Sequence, residues 1–224
     1  MKTAARWLFI ICLPILLATA SVSLAVNSKW LYSSGFERYD VGMVTGLEQA
    51  EMEKAADGLI DYFNSGEEYI DVVVLKGGEP FRLFNEREVG HLRDVKGLFR
   101  LVYRLLLGTA VYALLYIAVS LFVWKDRRLI GRGLFGGGML TLALMVALGL
   151  TTLFNFQQLF RQFHLISFAN DLWMLDPATD YLIMLFPGGF WYDTMLFCVL
   201  VTAVLALAST GVGWWMRRKG QSVE

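Results

Sequence analysis

Residues 163–191 of this chain read FHLISFANDLWMLDPATDYLIMLFPGGFW. The stretch lies between two long apolar runs, yet it carries one histidine, one asparagine and three aspartates. Polar groups beside hydrocarbon are costly, and they usually persist because they face one another or a substrate. The stretch therefore predicts a functional segment at, or just inside, a membrane surface.

The composition favours a membrane protein with several spans. Of the 224 residues 56% are hydrophobic, and 20 lysines and arginines balance 20 aspartates and glutamates. A formal net charge of zero provides no electrostatic attraction for nucleic acid, so we expect no nucleic-acid partner. Cys12 and Cys198 both fall inside apolar runs, where a thiol stays protonated, and we expect them to be packing residues rather than a disulfide.

Four apolar runs approach or exceed the ~20 residues that a helix needs to cross a bilayer. The first continues past Ala18-Thr19-Ala20, so we interpret it as an uncleaved span, with a cleaved signal peptide as the alternative. The predicted order is a cytoplasmic end and first span (1–26), an extracytoplasmic subdomain with an interfacial helix (27–97), the second span (98–124), a basic cytoplasmic loop (125–132), the third span (133–153), an outer interfacial loop with His164 (154–191), the fourth span (192–216) and a cytoplasmic tail (217–224).

Basic residues determine the predicted orientation. They cluster near the amino terminus, in the loop from Lys125 to Arg132, and at Arg217–Lys219, which share one side of the membrane if there are four spans. Because cytoplasmic segments carry an excess of Lys and Arg, both termini are predicted to be cytoplasmic. The predicted fold class is a predominantly α-helical integral membrane protein with four transmembrane helices, a small α+β extracytoplasmic subdomain, and an interfacial or re-entrant outer loop.

Turn and cap residues predict local structure in the two polar segments. Thr45 and Glu48 have the spacing of a capping box, and the apolar helical stripe that follows ends near Asn64. Residues 69–75 and 81–84 are predicted strands, and we expect a further short strand beside them, since two strands alone are marginally stable. In the outer loop, Asp176 followed by a proline predicts the start of another short helix.

The chain has two histidines, and each lies just outside a predicted span on the outer face. Asn85 and Glu88 predict a helix that starts at Glu86 and runs into the second span, with His91 one turn from both Glu88 and Asp94. Histidine has an unperturbed pKa of about 6.5, which suits proton transfer near neutral pH. We therefore expect the fold to bring both histidines together in one pocket open to the outer leaflet.

Two other interpretations of the histidines remain. Each histidine is alternatively a structural residue whose hydrogen bonds are satisfied at the membrane interface. A metal site is the other option, with His91, His164 and either Asp94 or Glu88 as ligands. No segment has tight metal-ligand spacing such as H-x-x-x-H, so we rank a metal below proton transfer and predict neither a metal nor a cofactor.

Three segments around these residues form a pattern: EREVGHLRDVK (86–96), FHLISFANDLWMLDP (163–177) and FPGGFW (186–191). With them, and over nearly its whole length, the chain resembles the bacterial lipoprotein intramolecular transacylase (Lit) family. The resemblance implies an enzyme of the bacterial plasma membrane with its active site facing the outer leaflet. Its substrate would be the diacylated N-terminus of a lipoprotein, whose sn-2 O-acyl chain moves to the α-amine to give the lyso form.

The resemblance and the chemistry together give a set of predicted site residues. His91 and His164 are the expected acid–base pair, without a covalent intermediate, since the acyl donor and the acceptor amine belong to one molecule. Residues expected to orient the histidines or to stabilise the oxyanion are Glu88, Asp94, Arg87, Arg93, Asn170, Asp171 and Asp176. Predicted walls of an acyl-chain pocket are Phe160, Phe163, Phe168 and Leu185. The alternative functions are a non-enzymatic membrane accessory or sensor protein, and an outer-leaflet lipid hydrolase.

Overall fold

The computed structural model describes residues 1–219, which form eight α-helices, a π-helical turn and a two-stranded sheet. The helices are α1 (Lys2–Val26), α2 (Lys29–Arg38), α3 (Val41–Thr45), α4 (Gln49–Asn64), α5 (Glu86–Ala118), α6 (Arg127–Ser167), α7 (Tyr181–Leu185) and α8 (Gly188–Lys219), and the strands are β1 (Val73–Lys76) and β2 (Glu79–Arg82). The π-helical turn, Val119–Val123, extends α5.

Four helices are long and apolar enough to cross a membrane: α1, α5 with its π-helical turn, α6 and α8. Together with the small sheet they confirm the predicted fold class, a predominantly α-helical integral membrane protein. The assignment of segments to the two sides of the membrane stays a prediction. Of the predicted tail at 217–224, residues 220–224 lie outside the described residues.

The chain divides into two compact units. The helical unit comprises Met1–Ser23, Leu101–Leu153 and the chain from Leu196 onward, and the α/β unit comprises Leu24–Arg100 and Phe154–Met195. In the helical unit the rings of Phe9 and Tyr116 stack with centroids 4.5 Å apart. A Cβ atom placed on Gly137 would lie 2.8 Å from Leu13, so the helices approach closely there, as small residues permit in membrane bundles.

The α/β unit is built around α4, whose start differs from the prediction. Thr45 is the last residue of α3, where its hydroxyl donates to the Val41 carbonyl over 2.8 Å, and α4 begins at Gln49. The capping-box prediction is therefore wrong, because the N-cap residue Glu48 makes no side-chain cap hydrogen bond. The predicted helix end is confirmed at Asn64. Helices α2 and α3 were not predicted.

The hairpin packs against α4 instead of pairing with a further strand. Strands β1 and β2 are antiparallel, with Val74 opposite Phe81, and the sheet has two strands within residues 1–219. The edge amide of Leu75 donates to the Glu51 carboxylate of α4 over 2.8 Å. Because a helix side chain satisfies this edge and Val74 is fully buried, the expected third strand is not needed.

The segment expected to be a loop from residue 154 is helical in its first part. Helix α6 continues to Ser167 and has one non-helical residue, Asn155, with φ −150° and ψ 41°. The next helix, α7, begins at Tyr181 rather than Asp176, whose carboxylate instead accepts a hydrogen bond of 2.9 Å from the Ala178 amide in a turn. His164 therefore lies on a helix, which fixes its backbone.

Candidate active site

The N-terminus of α5 positions the first histidine. As predicted, Asn85 and Glu88 form a reciprocal cap: Asn85 Oδ1 accepts hydrogen bonds from the amides of Arg87 (3.0 Å) and Glu88 (3.1 Å), and the Asn85 amide donates to Glu88 Oε2 (2.7 Å). The cap starts the helix at Glu86 and places His91 in the second turn. His91 is 6% exposed, so the ring is held inside the protein.

The last turn of α6 positions the second histidine, which is 7% exposed. Its Nδ1 lies 2.8 Å from the carbonyl oxygen of Phe160, one turn earlier. A carbonyl oxygen only accepts, so Nδ1 carries a proton and donates it. In the neutral imidazole the lone pair is then on Nε2.

The structure brings the two imidazoles together, as expected. The ring centroids of His91 and His164 are 6.0 Å apart, with 30° between the planes. Phe168 contacts both rings, with centroids 5.0 Å from His91 and 5.5 Å from His164. We call His91 and His164 the histidine pair.

Aromatic rings enclose the His164 side of the pair. Phe160 lies 4.4 Å, Phe163 5.3 Å and Trp173 5.0 Å from the His164 ring centroid. Three predicted wall residues, including Phe168, therefore surround the pair, whereas Leu185 is fully buried in the hydrophobic core of the α/β unit. Trp173 was not predicted as a site residue, although it lies in the polar stretch that pointed to the site.

Burial keeps both imidazoles neutral near pH 7. It lowers the pKa of His91 to about 4, with a smaller lowering from His164 and an opposing effect of the Asp94 charge. For His164, burial lowers the pKa and the hydrogen bond to Phe160 raises it. Both residues lie outside the predicted spans at 98–124 and 133–153. Neutral imidazoles are the form that can accept a proton.

His91 differs from His164 in the partner of its Nδ1 atom. This nitrogen is buried and has no hydrogen-bond partner among residues 1–219. An unpaired buried N–H is rarer in proteins than an unpaired acceptor, so we infer that His91 Nδ1 carries the lone pair and Nε2 the hydrogen. The two rings are then complementary, since Nε2 of His91 is a hydrogen-bond donor and Nε2 of His164 is an acceptor.

The predicted carboxylates do not contact the histidines in the way we expected. Glu88 is 1% exposed, and its carboxylate accepts hydrogen bonds from the amides of Leu182 (2.6 Å) and Asn85 (2.7 Å). It makes no described hydrogen bond to His91, because these backbone donors occupy it. Asp94 acts on His91 through its charge, while its Oδ2 accepts a hydrogen bond of 2.8 Å from Asn170.

The predicted oxyanion donors are likewise engaged within the protein. Arg87 Nη2 donates to the backbone carbonyl of Asp171. Arg93 forms an ion pair of 2.7 Å with Glu68 and lies 5.3 Å from the ring of Tyr69.

The remaining predicted carboxylates, Asp171 and Asp176, are exposed. Neither has a described hydrogen bond to His164, whose Nδ1 is held by the Phe160 carbonyl instead. A role for any of these side chains in orienting the histidines or stabilising an oxyanion stays a prediction.

Residues 168–173, which we call the strap, lie along the face of α5 that carries His91. Asn170 bonds to Asp94 and the Asp171 carbonyl to Arg87. Between these contacts, a Cβ placed on Gly90 would lie 3.0 Å from Leu172 Cδ1. Positions 87, 90, 91 and 94 share one helix face, so the strap covers the histidine pair.

One cavity of the α/β unit lies close to the histidine pair. Its volume is about 730 Å³, and neither imidazole lines it. The strap and the aromatic rings leave both imidazoles buried, and a pocket shared by the two rings stays a prediction. Within the described part of the chain, no group of three or more His, Cys, Asp or Glu side chains is placed to hold a metal ion.

Comparison with known proteins gives consistent matches over most of the chain. Residues 7–191 match the family described as "Lipoprotein intramolecular transacylase Lit". An uncharacterized protein of Aquifex aeolicus (strain VF5) is 27% identical over 194 residues, covering 83% of this chain and 85% of the relative.

Solved structures show the same fold. The membrane-integral lipoprotein intramolecular transacylase Lit from Bacillus cereus has a TM-score of 0.84 at 20% identity, covering 99% of this chain and 98% of that one. A structure of the Bacillus cereus protein with one histidine replaced by arginine has a TM-score of 0.79 at 19% identity, and the match covers 100% of this chain and 95% of that one. Because the family match spans well over half of its length, the chain belongs to the lipoprotein intramolecular transacylase (Lit) family.

Proposed function

We propose that this protein moves the sn-2 O-acyl chain of a diacylglyceryl-cysteine to the cysteine α-amine, producing a lyso-form lipoprotein. The observation that carries the proposal is the 6.0 Å approach of two buried, neutral imidazoles. Such a pair supplies both an acceptor for the amine proton and a donor for the departing oxygen. Family membership supports the same reaction class.

In the proposed reaction the neutral α-amine attacks the carbonyl carbon of the sn-2 ester. His164 Nε2 takes a proton from the attacking nitrogen, and His91 Nε2–H gives a proton to the sn-2 oxygen as its bond to the acyl carbon breaks. The products are an amide and a free sn-2 hydroxyl, and no water is consumed. Return of one proton from His164 to His91 restores both residues.

In this scheme most of the rate acceleration comes from the orientation of the reacting amine and ester. Donor and acceptor are parts of one molecule, and well-oriented intramolecular reactions reach effective molarities on the order of 10⁵–10⁸ M. The rings of Phe160, Phe168 and Trp173 surround the pair and limit access of water. Exclusion of water favours transfer to the amine over hydrolysis of the ester.

We place the reaction in the outer leaflet of the bacterial plasma membrane. The support is the distribution of basic residues, which predicts cytoplasmic termini, together with exposed apolar side chains beside the site. Phe163 is 49% and Ile166 83% exposed in the last turns of α6, and both are suited to contact acyl chains. Reporters fused before Met1 and after Glu224 should both be cytoplasmic, and an external reporter at either end would contradict this orientation.

The test of the function is mass spectrometry of lipoprotein N-termini from cells with and without the gene. An amide-linked acyl chain that appears with the gene is the expected result. Released fatty acid without the amide would instead indicate a lipid hydrolase. Unchanged lipoproteins would indicate an accessory or sensor protein.

A further inference from the structure

A cavity of about 730 Å³ lies in the α/β unit, next to the histidine pair. Phe168, which contacts both imidazoles, forms part of its wall, and so does Asp94, one turn after His91. We call it the polar cavity. Further lining residues that matter below are Glu67, Glu68, Arg93, Lys96, Arg100 and Asn170.

The walls of the polar cavity are unsuited to an acyl chain. They carry three acidic and three basic side chains and one aromatic ring. Burying charged groups against hydrocarbon would be costly. The wall instead carries both hydrogen-bond donors and acceptors, which suits a polar ligand that offers both.

Two cations of this wall have no carboxylate partner among residues 1–219. Lys96 is 2% exposed, and its Nζ donates to Ser65 Oγ (3.0 Å) and to the Glu67 carbonyl (2.7 Å), both neutral acceptors. The same Nζ lies 3.9 Å from the ring centroid of Tyr62, so all three N–H donors of Lys96 face groups of the protein. Arg100 is exposed and forms no ion pair with a described residue, unlike Arg93, which pairs with Glu68.

We propose that the polar cavity binds the polypeptide main chain that follows the lipidated cysteine of the substrate. This inference rests on the proposed function, since it assigns a place to the part of the substrate that does not react. When the amine and the ester occupy the histidine pair, the chain must leave through a polar region. Main-chain carbonyls would meet Arg100, and main-chain amides would meet the Glu67 carboxylate.

The charge balance favours a peptide over an anionic lipid headgroup. Three carboxylates and three cations line the cavity, so its wall has no net positive charge to attract a phosphate. A peptide backbone has no net charge and uses both kinds of wall group. Recognition of main-chain atoms also tolerates different side chains in the substrate.

The test compares two diacylated substrates with the same lipid on the full-length purified protein. One is diacylglyceryl-cysteine amide, and the other has four uncharged residues after the cysteine. We expect KM for the cysteine amide to be about tenfold higher, which corresponds to about 1.4 kcal/mol of binding, at similar kcat. Arg100→Gln should raise KM for the longer substrate and leave KM for the cysteine amide unchanged.

Arg104→Gln is the matched control, because Arg104 lies one turn further along α5, is exposed and does not line the cavity. It should change neither KM. Equal KM values for the two substrates in the unsubstituted protein would overturn the proposal. So would a KM that follows the anionic phospholipid content of the micelle rather than peptide length.

Binding of the same lipopeptides, fluorescently labelled, separates this proposal from the proposed function because it needs no turnover. Binding that depends on peptide length and on Arg100, without any acyl transfer, would support the cavity and contradict the transacylase. Acyl transfer with length-independent binding would support the transacylase and overturn the cavity.

Discussion

The carbonyl oxygen of Phe160 accepts a hydrogen bond of 2.8 Å from Nδ1 of His164. Because the acceptor belongs to the backbone of α6, no side-chain substitution removes it. The helix itself therefore fixes the tautomer and the orientation of this imidazole. In most histidine sites a carboxylate or a backbone carbonyl has this function, and here the backbone replaces the aspartates that we had expected.

Loss of either histidine should abolish lyso-lipoprotein formation. A proton acceptor and a donor that act in one step are each indispensable, so His91→Ala and His164→Ala should each lower activity by a factor of ~10²–10⁴. The double variant should be no worse than either single one, as for residues that act as a unit. Mass spectrometry of lipoprotein N-termini gives the activity, and the amount of protein in the membrane gives the control for folding.

His164→Asn separates catalysis from structure. The asparagine side chain retains an N–H near the Nδ1 position, where it can donate to the Phe160 carbonyl, but it has nothing at Nε2. The variant should fold and be inactive. Activity near that of the unsubstituted protein would assign His164 a structural role.

Burial of His91 should make the folded protein sensitive to acid. Its pKa is about 4 in the folded state against a usual 6.5, so the unfolded chain binds more protons between these values. The contribution of His91 to the free energy of unfolding is then fully present above about pH 6.5, and it decreases as the pH falls toward about 4. At pH 5 the loss from this group is about 2 kcal/mol.

His91→Phe measures this contribution. No described residue bonds to His91 Nδ1, so the substitution leaves no partner of that nitrogen unpaired. Between pH 7 and pH 5, thermal unfolding of the variant in detergent should lose about 2 kcal/mol less than that of the unsubstituted protein. Glu88, whose pKa burial raises, is present in both proteins and cancels in the comparison. Equal acid sensitivity would contradict the neutral, buried state of His91.

The Glu88 carboxylate should matter for stability. It accepts hydrogen bonds from the buried amide of Leu182 and from the amide of Asn85, and an unsatisfied buried N–H costs about 1–3 kcal/mol. Glu88→Ala should therefore lower the melting temperature markedly, and Glu88→Gln less, since one amide oxygen still accepts. Glu86→Gln, an exposed position in the same turn, is the control. A melting temperature for Glu88→Ala equal to that of the control would show that these bonds contribute little.

Some of this site could be predicted from the sequence, for physical reasons that specific residues show. The cap formed by Asn85 and Glu88 is local, so its spacing alone located the start of α5. The meeting of the histidines followed from the cost of leaving polar groups beside hydrocarbon unpaired. The capping box at Thr45 failed because the same local spacing lies at the end of α3, where the hydroxyl bonds backward to Val41.

Other contacts had no local signal. Glu88 bonds to Leu182, 94 positions later, and the partner of His164 is a main-chain atom, which no pattern of side chains shows. The aromatic residues before His164 indicated a membrane interface but not a helix, so the extension of α6 to Ser167 was missed. These features depend on how the chain packs, and they became visible only in the structure.

The strap should have to move for substrate to reach the histidines. His91 and His164 are 6% and 7% exposed, which leaves no room for a diacylglyceryl-cysteine, while the strap is held to α5 by contacts at Arg87, Gly90 and Asp94. A crosslink from α5 to the strap should therefore block the reaction. Gly90→Cys with Leu172→Cys, made in a protein with both natural cysteines replaced by alanine, places one thiol on each side of this contact.

Oxidation, or a short thiol-specific crosslinker that reducing agent cleaves, should abolish lyso-lipoprotein formation in this variant, and reduction should restore it. The control pair is Gly58→Cys with Val72→Cys, where a Cβ on Gly58 would lie 3.8 Å from the Val72 Cβ, within disulfide range. That crosslink joins α4 to the chain before β1 and leaves the strap free, so activity should persist. Full activity of the crosslinked Gly90–Leu172 variant would mean that substrate reaches the histidine pair without displacement of the strap from α5.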